Sequence, residues 1–486
     1  MKSRLIGVLL LMAIVVVGLI VYINQHNDIG DKLSKGENAT ESSKDIDNNN
    51  QDESTPRQAL IGGNSFVLAQ TIIKTFQANG SPNLQPDMDA YQKGLKAYDA
   101  GNYSEAVTYL SQVDSDGRDP YSAILLENSK IMADKYDYIE IAVVGPMTGD
   151  SSQKGLAELD GVMLAQEEIN QNGGISGKKL LIDVADDKGQ TGKSTTDAAY
   201  NLVNSQALAV IGHIGSANTL AAAPTYEKAG LVAISPSSSS PLVSKAGAHI
   251  FRVCSDDNAQ GRALVKYAQE TGAKQAALVY MPIDAYSVTL HDAIKKEAAA
   301  NGVSVVGEYK YQKEDMDFSS IAAQIKSTGV DNVFFCGSDV EGAYFLIDLK
   351  KIAPQVRVLG GDGMYIHRLL EVAGASSDGL ITTTFFHAKA GFPFQAQFTE
   401  AFTLRFKGTP NARSALAYDA LYAITNALND TQEFTRKGVY QGLQEVSFQG
   451  ATGRIKFDQN GDVRNKPIVI LETRNLEYVP VKSVYE

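Results

Sequence analysis

Hydrophobic and polar positions divide this chain into four textures. Lys2 and Arg4 precede an uncharged, apolar run from Leu5 to Ile23. As a helix, those nineteen residues nearly cross the roughly 30 Å hydrocarbon layer of a bilayer. The basic residues stay on the cytoplasmic side, so the chain beyond Tyr22 is expected outside the inner membrane. The run ends in Val21-Tyr22-Ile23-Asn24 rather than in small residues, which favours a retained anchor over residues 1–26 above a cleaved signal peptide. From Asn27 to about Thr55 the chain is rich in Asn, Asp, Ser, Lys and Glu and almost free of large apolar residues. It cannot bury enough surface to offset chain entropy, and a mostly disordered tether is expected over 27–86.

The third texture is helical, from residue 87 to about 136. Gly94, Gly101, Tyr103, Ala106 and Leu110 fall at the spacing of a tetratricopeptide repeat. In such a unit the small residues let two helices approach while Tyr103 and Leu110 fill the gap, and Pro120–Leu126 supplies a third helix. One repeat cannot form a solenoid, so the module reads as a helical cap or spacer, or as a docking surface for a partner. From Tyr138 the texture alternates. Short apolar runs (Ile139–Val144, Leu180–Val184, Ala207–Ile211, Leu231–Ile234, Ala276–Tyr280, Val303–Val306 and Asn332–Phe335) are separated by helical segments. This pattern predicts βαβ units and parallel sheets, an α/β fold. Ligands of open parallel sheets bind at loops beyond the carboxyl ends of the strands, and the search for chemistry narrows to those loops.

Composition removes several function classes. The 486 residues suffice for about three folding units, and a net charge of −12 argues against a nucleic-acid partner. Two cysteines and six scattered histidines make neither a disulfide framework nor a zinc site, and no cofactor is implied. Gly192-Lys193-Ser194-Thr195 imitates the end of a phosphate-binding loop, but Asp187 stands where that loop needs glycine. Ser216 near His213 suggests a hydrolase, yet there is no G-x-S-x-G elbow and no assignable acid.

Two loops carry a clearer signal. After the strand ending at Ile211 comes Gly212-His213-Ile214-Gly215-Ser216-Ala217-Asn218-Thr219, leading into a helix. Ser216 is placed to cap that helix or to offer its hydroxyl to an anion at the helix start. The next strand ends in Ile234-Ser235-Pro236-Ser237-Ser238-Ser239-Ser240-Pro241, a donor-rich loop bounded by prolines. A zwitterion would need such donors on one wall and a carboxylate on the other.

In order along the chain, Ile141–Gly149, Ile169–Gly177, Ala185-Asp186-Asp187, Ile211–Thr219, Ile234-Ser235-Pro236, Gln260-Gly261 and Phe457–Asp462 resemble the periplasmic branched-chain amino-acid binding proteins of ABC transporters, the type I two-lobed family. The likeness covers about residues 138–486. It implies two parallel-sheet lobes joined by three hinge crossings, lobe one holding about 138–257 and 387–440 and lobe two about 258–386 and 441–486. It implies no catalysis, a small-molecule ligand trapped between the lobes, and delivery to an ABC permease. A membrane-tethered ligand sensor is the alternative. Ser216 and the Ser237, Ser238 and Ser239 segment match positions that hold a ligand carboxylate. Tyr286 matches a tyrosine covering the ligand, and Asp362 an acid binding its ammonium. Lys154 and Ser338 stand where such binders often place aromatics, which points to a polar or charged amino acid or a small amide. Lys154 exposed and touching nothing is the other reading. Cys254 and Cys336 are expected to be separate thiols.

Overall fold

The computed structural model describes residues 57–78, 87–113, 119–149 and 151–485. The expected membrane-spanning run at 5–23 and the tether at 27–55 lie outside the described residues. Among the described residues, no helix is long and apolar enough to cross a membrane.

Five strands form the first sheet: β1 (Tyr138–Gly145), β2 (Lys179–Asp186), β3 (Ala209–Ile211), β4 (Val232–Ser235) and β5 (Ile250–Arg252). They are parallel throughout, in the order β2-β1-β3-β4-β5. Nearly every residue of β1 to β5 is buried, as expected of strands covered by helices on both faces. The second sheet contains β6 (Gln275–Tyr280), β7 (Ser304–Lys310), β8 (Asn332–Cys336), β9 (Arg357–Gly360) and β10 (Ile381–Thr384). These five are parallel, and two late strands, Pro467–Arg474 and Glu477–Tyr485, extend the sheet antiparallel beside β10. Every strand anticipated from the apolar runs is present. Strands β5, β9, β10, the final pair and the hairpin Ser447–Gly450/Gly453–Lys456 were not anticipated.

The third crossing comes later than expected. Helix Arg436–Glu445 and the hairpin Ser447–Gly450/Gly453–Lys456 pack with the first lobe, through Val439, Leu443, Ile455 and Phe457. Phe457 stacks edge-on against Phe251 at 5.1 Å, and Arg252 bonds Asp462. The chain therefore re-enters the second sheet only after Asp462, not at 441, because the apolar face of the helix finds its partners in lobe one.

The tether also ends earlier than expected. Residues 57–78 are folded: Ile61 bridges the edge of β2, its N–H donating to Val184 O at 2.9 Å and its carbonyl accepting from Asp186 N–H at 3.0 Å. Helix α1 (Ser65–Ala78) comes next. Leu68, Ala69 and Ile72 bury one stripe of it, the spacing of an amphipathic helix. Helices α2 (Met88–Asp99), α3 (Tyr103–Val113) and α4 (Pro120–Ala133) complete the module. Gly94 is needed for its close approach, since a Cβ there would come within 2.8 Å of Leu110. The module is fixed to lobe one by polar groups as well. Asn128 on α4 donates to Ile182 O at 2.7 Å and accepts from Ile182 N–H at 3.1 Å, as an added strand would. Arg57 lies between Glu140 and Asp183 in a buried ion cluster.

Candidate functional site

The site is built where the carboxyl ends of β3 and β4 face the second lobe. Helix α5 (Ser216–Ala229) starts there, with Gly215 as its N-cap and no side-chain capping bond. Ser216 is thus the first helical residue and not the cap. Its hydroxyl accepts from Ser240 N–H at 3.2 Å, which leaves its own proton to give. The N–H groups of the first helical turn have no intrahelical acceptor, and the helix end carries partial positive charge.

The four serines divide their labour. Ser238 is spent on the fold: its hydroxyl meets Thr219 Oγ1 at 2.8 Å and the His213 and Ile214 carbonyls at 3.2 and 3.3 Å, and its N–H donates to Ser235 Oγ. Its O–H and N–H donors are thus both engaged within lobe one. Ser237 donates to Ile214 O at 3.1 Å. The buried Ser239 hydroxyl lies beside Asp257 with no bond of good geometry. Arg252, buried at the end of β5, holds this loop from behind, donating to Ser238 O at 3.2 Å, Ser240 O at 2.8 Å, Ser244 Oγ at 2.7 Å and Asp462 Oδ1 at 2.8 Å. Sequence reasoning passed over Arg252, although a charged residue closing an apolar strand was the available sign.

His213 does have an acid partner, Asp187, at 2.6 Å. Its other ring nitrogen meets the Tyr226 phenol at 3.0 Å, so both nitrogens are occupied and none serves Ser216. That is no hydrolytic triad, which needs the base bonded to the nucleophile.

The opposite wall comes from lobe two. Helix α6 (Ala285–Ala300) begins with Ala285 and Tyr286, and Asp362 opens the turn Asp362–Met364 after β9. The Tyr286 hydroxyl accepts from Gly363 N–H at 3.0 Å. Gly363 must be glycine, because a Cβ would lie 2.8 Å from Gly337 O, 2.9 Å from Ser338 Cβ and 3.0 Å from the Tyr286 ring. Tyr286, Ser338 and Asp362 therefore meet on one surface. Helices α5 and α6 touch across the cleft.

A hydrogen-bonded path joins the walls. Ser239 O accepts from Asp257 N–H at 2.8 Å. Gln260 Nε2 donates to Asp257 Oδ1 at 3.1 Å and to Asp362 Oδ1 at 2.9 Å, while Gln260 Oε1 accepts from Asp362 N–H at 2.9 Å and Thr383 Oγ1 at 2.7 Å. Asp257 and Gln260 lie in the first turns of the helix Asp257–Glu270, at the first crossing between lobes. Burial pushes the Asp257 carboxyl up to about 7, opposed by a hydrogen bond from Thr289 and by the nearby Ser239 hydroxyl. Burial also raises Asp362, opposed by Arg413, by bonds from Gln260 and Tyr286, and by Lys154. Lys154 is half-buried, and its charge lowers both Asp284 and Asp362, so it is not an isolated surface lysine. Cys254 and Cys336 are free, buried thiols.

A family model described as periplasmic binding protein matches residues 138–475. The chain belongs to the periplasmic binding protein family. Over 337 residues it is 28% identical to a leucine-, isoleucine-, valine-, threonine- and alanine-binding protein of Pseudomonas aeruginosa, covering 69% of this chain and 90% of that protein. A Leu/Ile/Val/Thr-binding protein of Salmonella typhimurium is 27% identical over 332 residues, covering 68% and 89%. Among solved structures, a leucine binding protein of Thermotoga maritima superposes with a TM-score of 0.67 at 28% identity, over 71% of this chain and 98% of that one. These matches support the two-lobed α/β architecture of a type I periplasmic binding protein. The family match begins at the start of β1, so α1 to α4 lie outside it.

Proposed function

We propose that this chain captures an amino acid, or a similarly small polar solute, between its lobes and delivers it to an ABC permease. Its relatives from Pseudomonas, Salmonella and Thermotoga are amino-acid binding proteins, and the facing walls of the two lobes have the donors and the acid that a zwitterion requires. The observation that carries the reading is the hydrogen-bonded path from Ser239, next to the Ser216-bonded Ser240, through Asp257 and Gln260 to Asp362. On this reading Ser216, the first turn of α5 and Ser239 receive the carboxylate. Asp362 receives the ammonium, Tyr286 covers the ligand, and Lys154 and Ser338 flank its side chain. Binding is lobe closure, favoured because the ligand bridges groups that separate when the lobes open. No bond of the solute is broken.

The family places the ligand-binding region outside the cytoplasm. The run at 5–23 would hold it at the inner membrane, and α2 and α3 would be a tetratricopeptide-like pair serving as a cap on lobe one. A thermal-shift screen of the purified chain against amino acids, amides and urea tests the reading. A ligand at 100 times its Kd adds about 2.7 kcal/mol to stability. A screen in which no amino acid or amide raises the melting point overturns it.

A further inference from the structure

A cavity of about 320 Å³ opens beside the cleft, where the module, lobe one and lobe two meet. Lys154, Asp160 and Arg413 line it from lobe one, Tyr365 and His367 from lobe two, and Ile72 of α1 closes it from the module. Its size suits the side chain of a small ligand. Its far wall comes from helices outside the family match, so its chemistry is free to differ from that of the relatives.

Two buried groups of lobe one are left wanting partners. Arg413 Nε is buried without an acceptor. Both oxygens of Glu158, a fully buried residue, also have no hydrogen-bond partner. Glu158 lies at the carboxyl end of β1, its Oε2 only 2.8 Å from where a Cβ on Gly145 would be, with Ile214 beside it. Arg413 is near enough to Glu158, Asp362 and Tyr365 to act on all three electrostatically. Buried polar groups in native proteins are nearly always paired, and a guanidinium donor left unpaired is costly. Burial and the nearby Asp187 raise Glu158 well above the usual carboxylate range, and Arg413 opposes them. A guanidinium with a buried donor to give and the Lys154 ammonium at the same cavity are jointly satisfied by an oxyanion.

We infer that the preferred ligand is an amino acid with a second carboxylate, whose side chain extends from the Ser216–Asp362 cleft toward Arg413 and Lys154. This rests on the amino-acid reading and adds the class of side chain. Leucine-like side chains would leave the buried Arg413 Nε desolvated and unpaired, the situation in which polar sites discriminate most strongly.

The test is calorimetry on the full chain in detergent micelles, with glutamate, aspartate, 2-aminoadipate, glutamine and leucine as probes. At least one dicarboxylic amino acid should bind about tenfold or more tightly than both glutamine and leucine. In Arg413→Gln, and separately in Lys154→Gln, the ratio of glutamate to glutamine affinity should fall, by at least about tenfold for Arg413→Gln. Neutral amino acids binding as tightly as the dicarboxylic ones, or an unchanged ratio in Arg413→Gln, overturns this inference while leaving amino-acid capture standing. Failure of all five probes to bind overturns both.

Discussion

Gln260 and Asp362 hold each other by a reciprocal pair of hydrogen bonds. The Gln260 amide donates to Asp362 Oδ1 at 2.9 Å, and the Asp362 backbone N–H returns a bond to Gln260 Oε1 at 2.9 Å. The same amide reaches Asp257. One side chain at the first crossing thus fixes the acid of lobe two relative to the loop of lobe one. Gln260→Leu should therefore act on binding as well as on stability. It leaves two enclosed carboxyls short of a donor, a loss of about 1–3 kcal/mol. Chemical denaturation should show that loss, and calorimetry should show affinity lowered about tenfold for whichever amino acid binds best. An affinity equal to that of the unaltered chain would mean that Asp362 is positioned without Gln260.

Asp362 itself separates charge from geometry. Asp362→Ala should weaken amino-acid binding by at least about tenfold, equivalent to 1.4 kcal/mol. Asp362→Asn keeps an oxygen for Gln260 but loses the negative charge, and should weaken binding nearly as much if the ammonium is what Asp362 meets. Calorimetry that finds the asparagine variant binding normally would remove the charge pairing from the model.

How much of this was legible beforehand depends on which physical signal each residue carries. The parallel sheets were readable because buried strands such as Ile139–Val144 are unbroken apolar runs. The serine loop was readable because four hydroxyls between prolines are unusual at a strand end. Arg252 and Arg413 were not singled out, and Gln260 entered only within the family-like Gln260-Gly261 stretch with no role, since each acts through partners far away in sequence: Asp462, the cavity beneath the module, and Asp362. Nor could the sequence distinguish Ser238 from Ser239. Only the direction of each hydroxyl separates them, and that is set by the neighbouring loop.

Asp257 makes stability depend on pH. Its folded value near 7 exceeds the ordinary value of about 3.9. Between those limits the folded chain holds a proton that the unfolded chain has released. Unfolding is therefore progressively favoured as pH rises from about 4 to 7, by up to about 1.4 kcal/mol per unit, and the effect levels off above 7. Groups facing Asp257 are Thr289, Ser239, Gln260, Asp362 and Arg252. Other buried acids, including Glu158 and Asp160, shift in the same direction, so the difference between variants is the measure. Melting curves of Asp257→Asn should change less with pH across this window than those of the unaltered chain. Parallel curves for the two would place the titration elsewhere.

The ion cluster at Arg57 decides whether the module is a fixed part of lobe one. Arg57 bonds Glu140, and its Nη1 lies 3.1 Å from Asp183. Burial and the neighbouring Glu140 both push the Asp183 carboxyl up, and Arg57 opposes them. Removing the cation leaves two buried carboxyls facing each other, and breaking such a group from one side typically costs about 3–5 kcal/mol. Arg57→Met should lower the melting point and, because Ile61 pairs with β2 only four residues later, should also expose the segment before α1 to proteases. Asn128→Leu tests the same seam without touching a charge. It removes the bonds to both the N–H and the carbonyl of Ile182, and the backbone of β2 loses partners that only an edge strand or this amide can supply. If both variants melt like the parent and resist proteolysis equally, the module is held by its apolar face alone, through Leu68, Tyr91 and Ile124. If both loosen it, the cavity wall at Ile72 should loosen too, and ligand affinity should fall although neither residue lines the cavity.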